Sequence, residues 1–270
     1  MISKQLLIGL SFFAAVSLQA QDSLVLEKSI PANAGMFTTD ALSNLYWLNN
    51  KGEVIKYQWT DERTFTYSNK QLGQPAWVDA SNPMQVLVLY PDVQSVVLLD
   101  SRMGQINLIK LLATSDGHSY LPLAACAQPE DDFFWIYDGL AQQLIKLDER
   151  GNTVAMSEPF TSMFDFTVVK PSLYYQEQTL FLADSDRGLL IFDRYGSFVK
   201  ANDITRQTLL QIDKENYYYL DNGQLQVVHR QLYGKDAISL PVQQARQVRV
   251  LAGKVFVLTP DAIEVYRIRE

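Results

Sequence analysis

The residues that could do chemistry are few in this chain and sparsely placed. It holds two histidines, His118 and His229, and one cysteine, Cys126. His118 sits in the polar run Ser115-Asp116-Gly117-His118, whereas His229 follows the apolar run Leu225-Gln226-Val227-Val228, so neither has a partner at metal-ligand spacing. There is no Gly-x-Ser-x-Gly elbow, no histidine close to Cys126, and no glycine-rich phosphate loop. The sharpest local signal is Asp184-Ser185-Asp186-Arg187, where two carboxylates two positions apart offer hard oxygen ligands to calcium. One alternating pair falls far short of a complete calcium loop, and Arg187 can neutralise it. No metal and no cofactor is expected.

The elements that would position such residues follow from composition and repetition. With 47% hydrophobic and 20% charged residues, including 14 Tyr and 13 Phe, the 270-residue chain has material for a sizeable core. Residues 1–20 carry one charge, Lys4, then an apolar run and Gln19-Ala20, the pattern of a secretory signal peptide cleaved after Ala20. The apolar run is too short for a comfortable membrane span, and no cysteine near the junction offers a lipid anchor. Without Lys4 the mature chain, 21–270, has 22 basic against 30 acidic residues, a net charge of −8, which makes nucleic acid and anionic membrane surfaces poor partners. A single cysteine forbids an internal disulfide, so the exported domain relies on its core; Cys126 lies in an apolar run and reads as a buried, inert thiol.

One pattern recurs along the chain: a short aliphatic or aromatic strand, a polar turn, and a second apolar strand. It appears as Leu45-Tyr46-Trp47-Leu48 with Val54-Ile55, Val86-Leu87-Val88-Leu89 with Val96-Val97-Leu98-Leu99, and Phe133-Phe134-Trp135-Ile136 with Leu144-Ile145. It continues as Leu180-Phe181-Leu182-Ala183 with Leu189-Leu190-Ile191-Phe192, Tyr217-Tyr218-Tyr219-Leu220 with Val227-Val228, and Val255-Phe256-Val257-Leu258 with Val265-Tyr266. From Tyr57 through Leu99, Leu147, Phe192 and Val228 to Tyr266, equivalent positions lie 42, 48, 45, 36 and 38 residues apart. That is the size of a four-stranded propeller blade, and runs of four or five β-formers bounded by Asp, Asn, Gly and Pro are strands, not helices.

Six units thus predict an all-β, six-bladed β-propeller with four-stranded blades. Innermost strands are expected at 35–39, 76–80, 120–125, 164–169, 208–212 and 247–251, and outer strands at 63–67, 106–111, 153–156, 197–200 and 237–240. Turns such as Asp148-Glu149-Arg150-Gly151 and Asp193-Arg194-Tyr195-Gly196 join third to fourth strands, with Asp accepting from turn amides and Gly taking the positive φ; Asp100 to Gly104 is read in the same way. The sixth unit lacks an outer strand of its own. The unassigned segment 24–30, Leu-Val-Leu-Glu-Lys-Ser-Ile, is expected to supply it and close the ring.

The aromatic pair, polar turn and [Leu/Phe]-Asp-x-x-Gly ending at Leu147 to Gly151 and Phe192 to Gly196 resemble six-bladed propellers of the NHL and quinoprotein-like type across the mature chain. The leader ending Ala-Gln is similar to those of exported Bacteroidetes-type envelope proteins. The resemblance implies a propeller fold and says little of activity.

In such a ring the candidate ligand positions are the channel wall and the turns between second and third strands. Those are Asp79 and Asp165 on expected innermost strands, with Tyr137-Asp138 and Asp184, Asp186 and Arg187 in the turns. No catalytic residue is assigned. The expected function is a non-enzymatic binding or scaffold protein of the cell envelope, using the rim for protein contacts, in the periplasm or held at the outer membrane by a partner. The partner is an envelope protein, with this chain a monomer or a subunit of a hetero-complex. The alternative is a channel-mouth hydrolase or lyase, or a sugar or small-ligand binder.

Overall fold

In a computed structural model, residues 24–204, 209–232 and 234–269 are described. They form six four-stranded antiparallel sheets arranged as a ring, a six-bladed β-propeller. The chain begins in β1 (Leu24–Pro31), and blade 1 follows as β2 (Ala34–Thr39), β3 (Leu45–Asn49), β4 (Glu53–Tyr57) and β5 (Thr64–Ser68). Blade 2 is β6 (Trp77–Asp79), β7 (Val86–Tyr90), β8 (Ser95–Leu99) and β9 (Gln105–Lys110); blade 3 is β10 (Pro122–Gln128), β11 (Phe133–Asp138), β12 (Gln143–Leu147) and β13 (Thr153–Met156). After one helical turn, α1 (Phe160–Met163), blade 4 is β14 (Pro171–Gln176), β15 (Thr179–Asp184), β16 (Gly188–Asp193) and β17 (Phe198–Asn202). Blade 5 is β18 (Gln211–Ile212), β19 (Asn216–Asp221), β20 (Gln224–His229) and β21 (Lys235–Ser239); blade 6 is β22 (Gln247–Leu251), β23 (Lys254–Leu258) and β24 (Ala262–Ile268). The expected signal peptide, residues 1–20, lies outside the described residues.

The second and third strands read as continuous apolar runs because both their faces are covered. β7 and β8 are buried at every residue, whereas all but the last residue of β17 is exposed. The seams between blades are apolar: Tyr46 and Val88 share one buried cluster across blades 1 and 2, Trp135 and Leu182 another across blades 3 and 4, and Trp47 and Phe256 a third across blades 1 and 6. Alternation of buried and exposed positions, the usual mark of a one-sided sheet, is therefore lost where the strands matter most.

The ring closes as expected. β1 pairs antiparallel with β24 from Leu24↔Ile268 to Pro31↔Ala262, with a bulge between Leu26 and Lys28. Ile30 is buried in the seam with blade 1, and the closure is extended by Ala32 N–H donating to the Asp261 carbonyl at 2.9 Å. Lys254 Nζ adds an ion pair to Glu27 at 2.6 Å.

Blade 4 departs from expectation. Its innermost strand is β14, not 164–169, which forms a loop behind α1. The reason is local: Phe164 packs on Phe160 and Phe198 and stacks on Phe166, so this aromatic segment fills a gap between blades 3 and 4 without entering a sheet. Pro171 opens the true strand, where a missing N–H costs nothing. β14 turns into β15 through Glu177-Gln178, both at positive φ (49° and 59°), a tight hairpin without its usual Asn-Gly signature. The innermost strand of blade 5 is shorter than expected, β18 alone, and Thr208 lies outside the described residues.

The Asp turns hold with one change. Asp148 accepts from Arg150 and Asn152 amides and Asp193 from Tyr195 and Ser197 amides, with Gly151 and Gly196 at positive φ. In the turn after Asp100 it is Met103 that takes φ 66°, and Gly104 stands where a Cβ would come 2.8 Å from the Asp100 carboxylate.

Candidate functional site

The innermost strands surround a central channel that holds two cavities, with Met36 and Trp77 lining both. Trp77 meets Tyr174 edge-on at 5.6 Å across the channel, a favoured aromatic geometry. The mouth at the start of the innermost strands, beside the turns between second and third strands, is a cavity of about 430 Å³ walled mainly by apolar groups and by Asn49, Asn50 and Gln74. The opposite mouth, where the innermost strands end, is a cavity of about 210 Å³ lined by Thr38, Thr39, Asp79, Tyr174, Gln211 and Arg249 among others. Blade 3 does not reach this second cavity, because the small residues Ala124, Cys126 and their neighbours let β10 close against β14.

Most polar groups on the wall are committed to joining blades. Gln211 donates from Nε2 to the Val250 carbonyl and accepts the Val250 N–H on Oε1, both at 2.6 Å, linking blades 5 and 6. Gln247 makes the same two-way contact with Phe37, linking blades 6 and 1. The Tyr174 hydroxyl accepts the Leu210 N–H at 3.0 Å between blades 4 and 5; burial pushes this phenol up, and that hydrogen bond acts in the opposite sense.

Of the residues expected at the site, Asp79 is on the wall. Its Oδ1 accepts from Ser81 N–H at 2.8 Å and its Oδ2 from Ala127 N–H at 2.9 Å, so it ties blade 2 to blade 3. Asp165 is displaced from the wall together with its expected strand: it lies exposed in the loop after α1 and lines neither cavity. Asp138 is buried and caps its turn, accepting from Leu121 N–H at 2.6 Å and Ala141 N–H at 2.9 Å. Tyr137 is buried against Phe160, with ring centres 5.3 Å apart. Asp184 is buried and accepts from both Asp186 and Arg187 amides, while Asp186 is exposed and Arg187 lays its guanidinium 4.6 Å from the Phe166 ring. The structure thus does not bring these seven residues together. Among the described residues no group of three or more His, Cys, Asp or Glu side chains is placed to hold a metal ion.

Neither histidine lines a mouth. His118 is exposed and stacks on Tyr120, and His229 accepts from the Gln231 and Leu232 amides in a turn. Cys126 is fully buried, and that burial, followed by the charge of Asp79, pushes its thiol well up. Reactive thiolate chemistry has no support there.

Arg249 belongs to no sequence motif, although it breaks an apolar strand at a position equivalent in direction to Gln247 and Leu251, which also line the smaller cavity. Its Nε donates to Thr39 Oγ1 at 3.2 Å, and among the described residues no ion pair engages it. Burial lowers its proton affinity, with Tyr174 and Asp79 acting in the opposite direction, and a guanidinium stays charged there.

On the outside, the edges of blades 3 and 4 form a groove of about 360 Å³ of mixed character, in which Ser157, Glu158 and Ser197 alternate with large apolar side chains. Met156, Met163, Tyr195 and Phe198 line it, and Met156 and Tyr195 are 52% and 69% exposed. Val154, two residues before Met156 on β13, is also exposed, whereas Val199 faces the other side of β17, toward blade 5.

Comparison with known proteins defines the class by fold. No protein family model matches the chain, and no curated protein matches it in sequence. Among solved structures it is similar to a streptogramin B lyase, with TM-score 0.58 and 8% identity over 92% of this chain and 88% of that one. It is also similar to a catalytically inactive histidine-to-alanine variant of virginiamycin B lyase from Staphylococcus aureus with quinupristin, with TM-score 0.55 and 12% identity over 93% and 87% of the two chains. At such identities the likeness is one of fold.

Proposed function

We propose that this propeller is a non-enzymatic binding protein of the cell envelope that grips a protein partner by its rim. The observation that carries the reading is the groove between blades 3 and 4, where Met156, Met163, Tyr195 and Phe198 come together. Single exposed apolar residues are normal, but four large apolar side chains gathered in one groove with a polar rim of Ser157, Glu158 and Ser197, beside a strand edge, have the make-up of a protein-contact site. β17 adds an edge whose backbone groups face solvent. The leader at residues 1–20 supports export, with a periplasmic location or one held at the outer membrane by the partner.

A channel-mouth lyase is the competing reading, since both structural neighbours named above are lyases. Replacing a histidine leaves one of them catalytically inactive, whereas neither His118 nor His229 lines a mouth of this channel. The carboxylates here serve as turn caps and ties between blades. Affinity purification from envelope extract, run in parallel with the Phe198→Glu/Tyr195→Asp variant, tests the proposal. A protein retained by the wild type and lost from that variant supports it; retention unaffected by the variant would sink it.

A further inference from the structure

The smaller cavity raises a separate question of charge. Arg249 and Asp79, on the innermost strands of blades 6 and 2, face one cavity without forming an ion pair with each other. A guanidinium has five N–H donors, and among the described residues only Nε is engaged, by Thr39. Asp79 accepts two backbone N–H groups, which leaves part of its accepting capacity open. The third charged group on the lining, Asp40, is by contrast filled: it accepts from Leu42 and Asn44 amides, from Asn44 Nδ2 and from the Tyr46 hydroxyl.

Opposite charges held apart in a half-closed space favour a ligand that spans them. A simple anion would meet Arg249 but be opposed by Asp79; a simple cation would meet Asp79 but be opposed by Arg249. We infer that this cavity binds a small zwitterion of the amino-acid kind, with its carboxylate on the Arg249 guanidinium and its ammonium toward Asp79. The volume of about 210 Å³ agrees, being below the roughly 300–1,000 Å³ of pockets that take drug-sized ligands and several times the roughly 30 Å³ of a water. Arg suits the carboxylate end, because its planar fork matches two oxygens at once. Thr38 and Thr39 add hydroxyls at the same mouth, and Tyr174 supplies an aromatic wall.

Calorimetric titration of the mature protein with glycine and L-alanine, and separately with acetate and with ethylamine, tests the inference. The amino acids are expected to bind, with acetate and ethylamine each at least about 10-fold weaker, since each keeps one of two charge-assisted contacts. Arg249→Met is expected to weaken alanine binding by on the order of 100-fold, and Asp79→Asn by about 10-fold while leaving acetate no worse. The amide introduced by Asp79→Asn keeps a carbonyl oxygen for one backbone donor, and circular dichroism confirms that each variant is folded. The wild-type comparison of alanine with acetate decides the same point without any substitution. No amino-acid binding at millimolar concentration, acetate binding as tightly as alanine, or unchanged binding in folded Arg249→Met would each overturn the assignment.

Discussion

The side-chain amide of Gln247 lies against the backbone of Phe37, donating to its carbonyl and accepting its N–H, both at 2.9 Å. A glutamine here acts as one rung of a ladder between blades that share no strand pairing. Gln211 repeats the device on Val250. Gln247→Ala would strand a buried donor and acceptor at the seam where the ring closes. The expected cost is roughly 2–4 kcal/mol, read as a lower urea midpoint with an unchanged slope. A loss below about 0.5 kcal/mol would show that the tie adds nothing beyond surface substitution.

Closure by β1 makes a second prediction. Deleting residues 24–30 removes Ile30 from the seam and leaves β24 with an unpaired edge. The truncated protein should aggregate or melt well below the full mature chain in size-exclusion and thermal scans. A monomer of unchanged melting temperature would disprove the closure.

Acid sensitivity is expected in the link between blades 2 and 3. The Thr114 hydroxyl and the Thr153 N–H donate to Asp116 at 2.6 and 2.8 Å and hold its carboxyl well below the usual carboxylate range. A carboxyl with a depressed folded value contributes stability that is present above its unfolded value of roughly 3.9 and is lost as pH falls through the folded one. Asp116→Asn should therefore lower the urea midpoint at pH 6 and converge on the wild type toward pH 2. Because Asp116 is exposed, the difference should be small and reduced by salt. Parallel curves down to pH 2 would show that Asp116 plays no part in acid sensitivity.

The parts of the ring legible in the sequence are those whose burial repeats. Val86 to Leu89 and Leu180 to Ala183 are covered on both faces, so their apolar runs are unbroken and their spacing marks a blade. Innermost strands are harder: β18 has two residues, and β14 hides behind Pro171 and a two-residue hairpin turn, Glu177-Gln178, that lacks the Asn-Gly residues which usually mark this geometry. The aromatic segment around Phe164 and Phe166 has strand-like composition but satisfies it by packing on Phe160 and Phe198. At the channel, Asp79 was readable by position, while its partner Ala127 lies 48 residues away. Gln247 reaches across 210 residues to Phe37, and no local pattern announces such a contact. Arg249 carried a signal, a charge inside an apolar innermost strand, whose meaning depends on Asp79 sharing the cavity.

The rim is the central functional claim, and a photo-crosslinking residue installed in cells tests it most directly. Placed at Tyr195, in the groove between blades 3 and 4, it should yield a discrete higher-mass adduct; placed at Leu232, 78% exposed on blade 5 and outside the groove, it should not. No adduct at Tyr195, or the same adduct from both positions, would contradict a partner held by this groove.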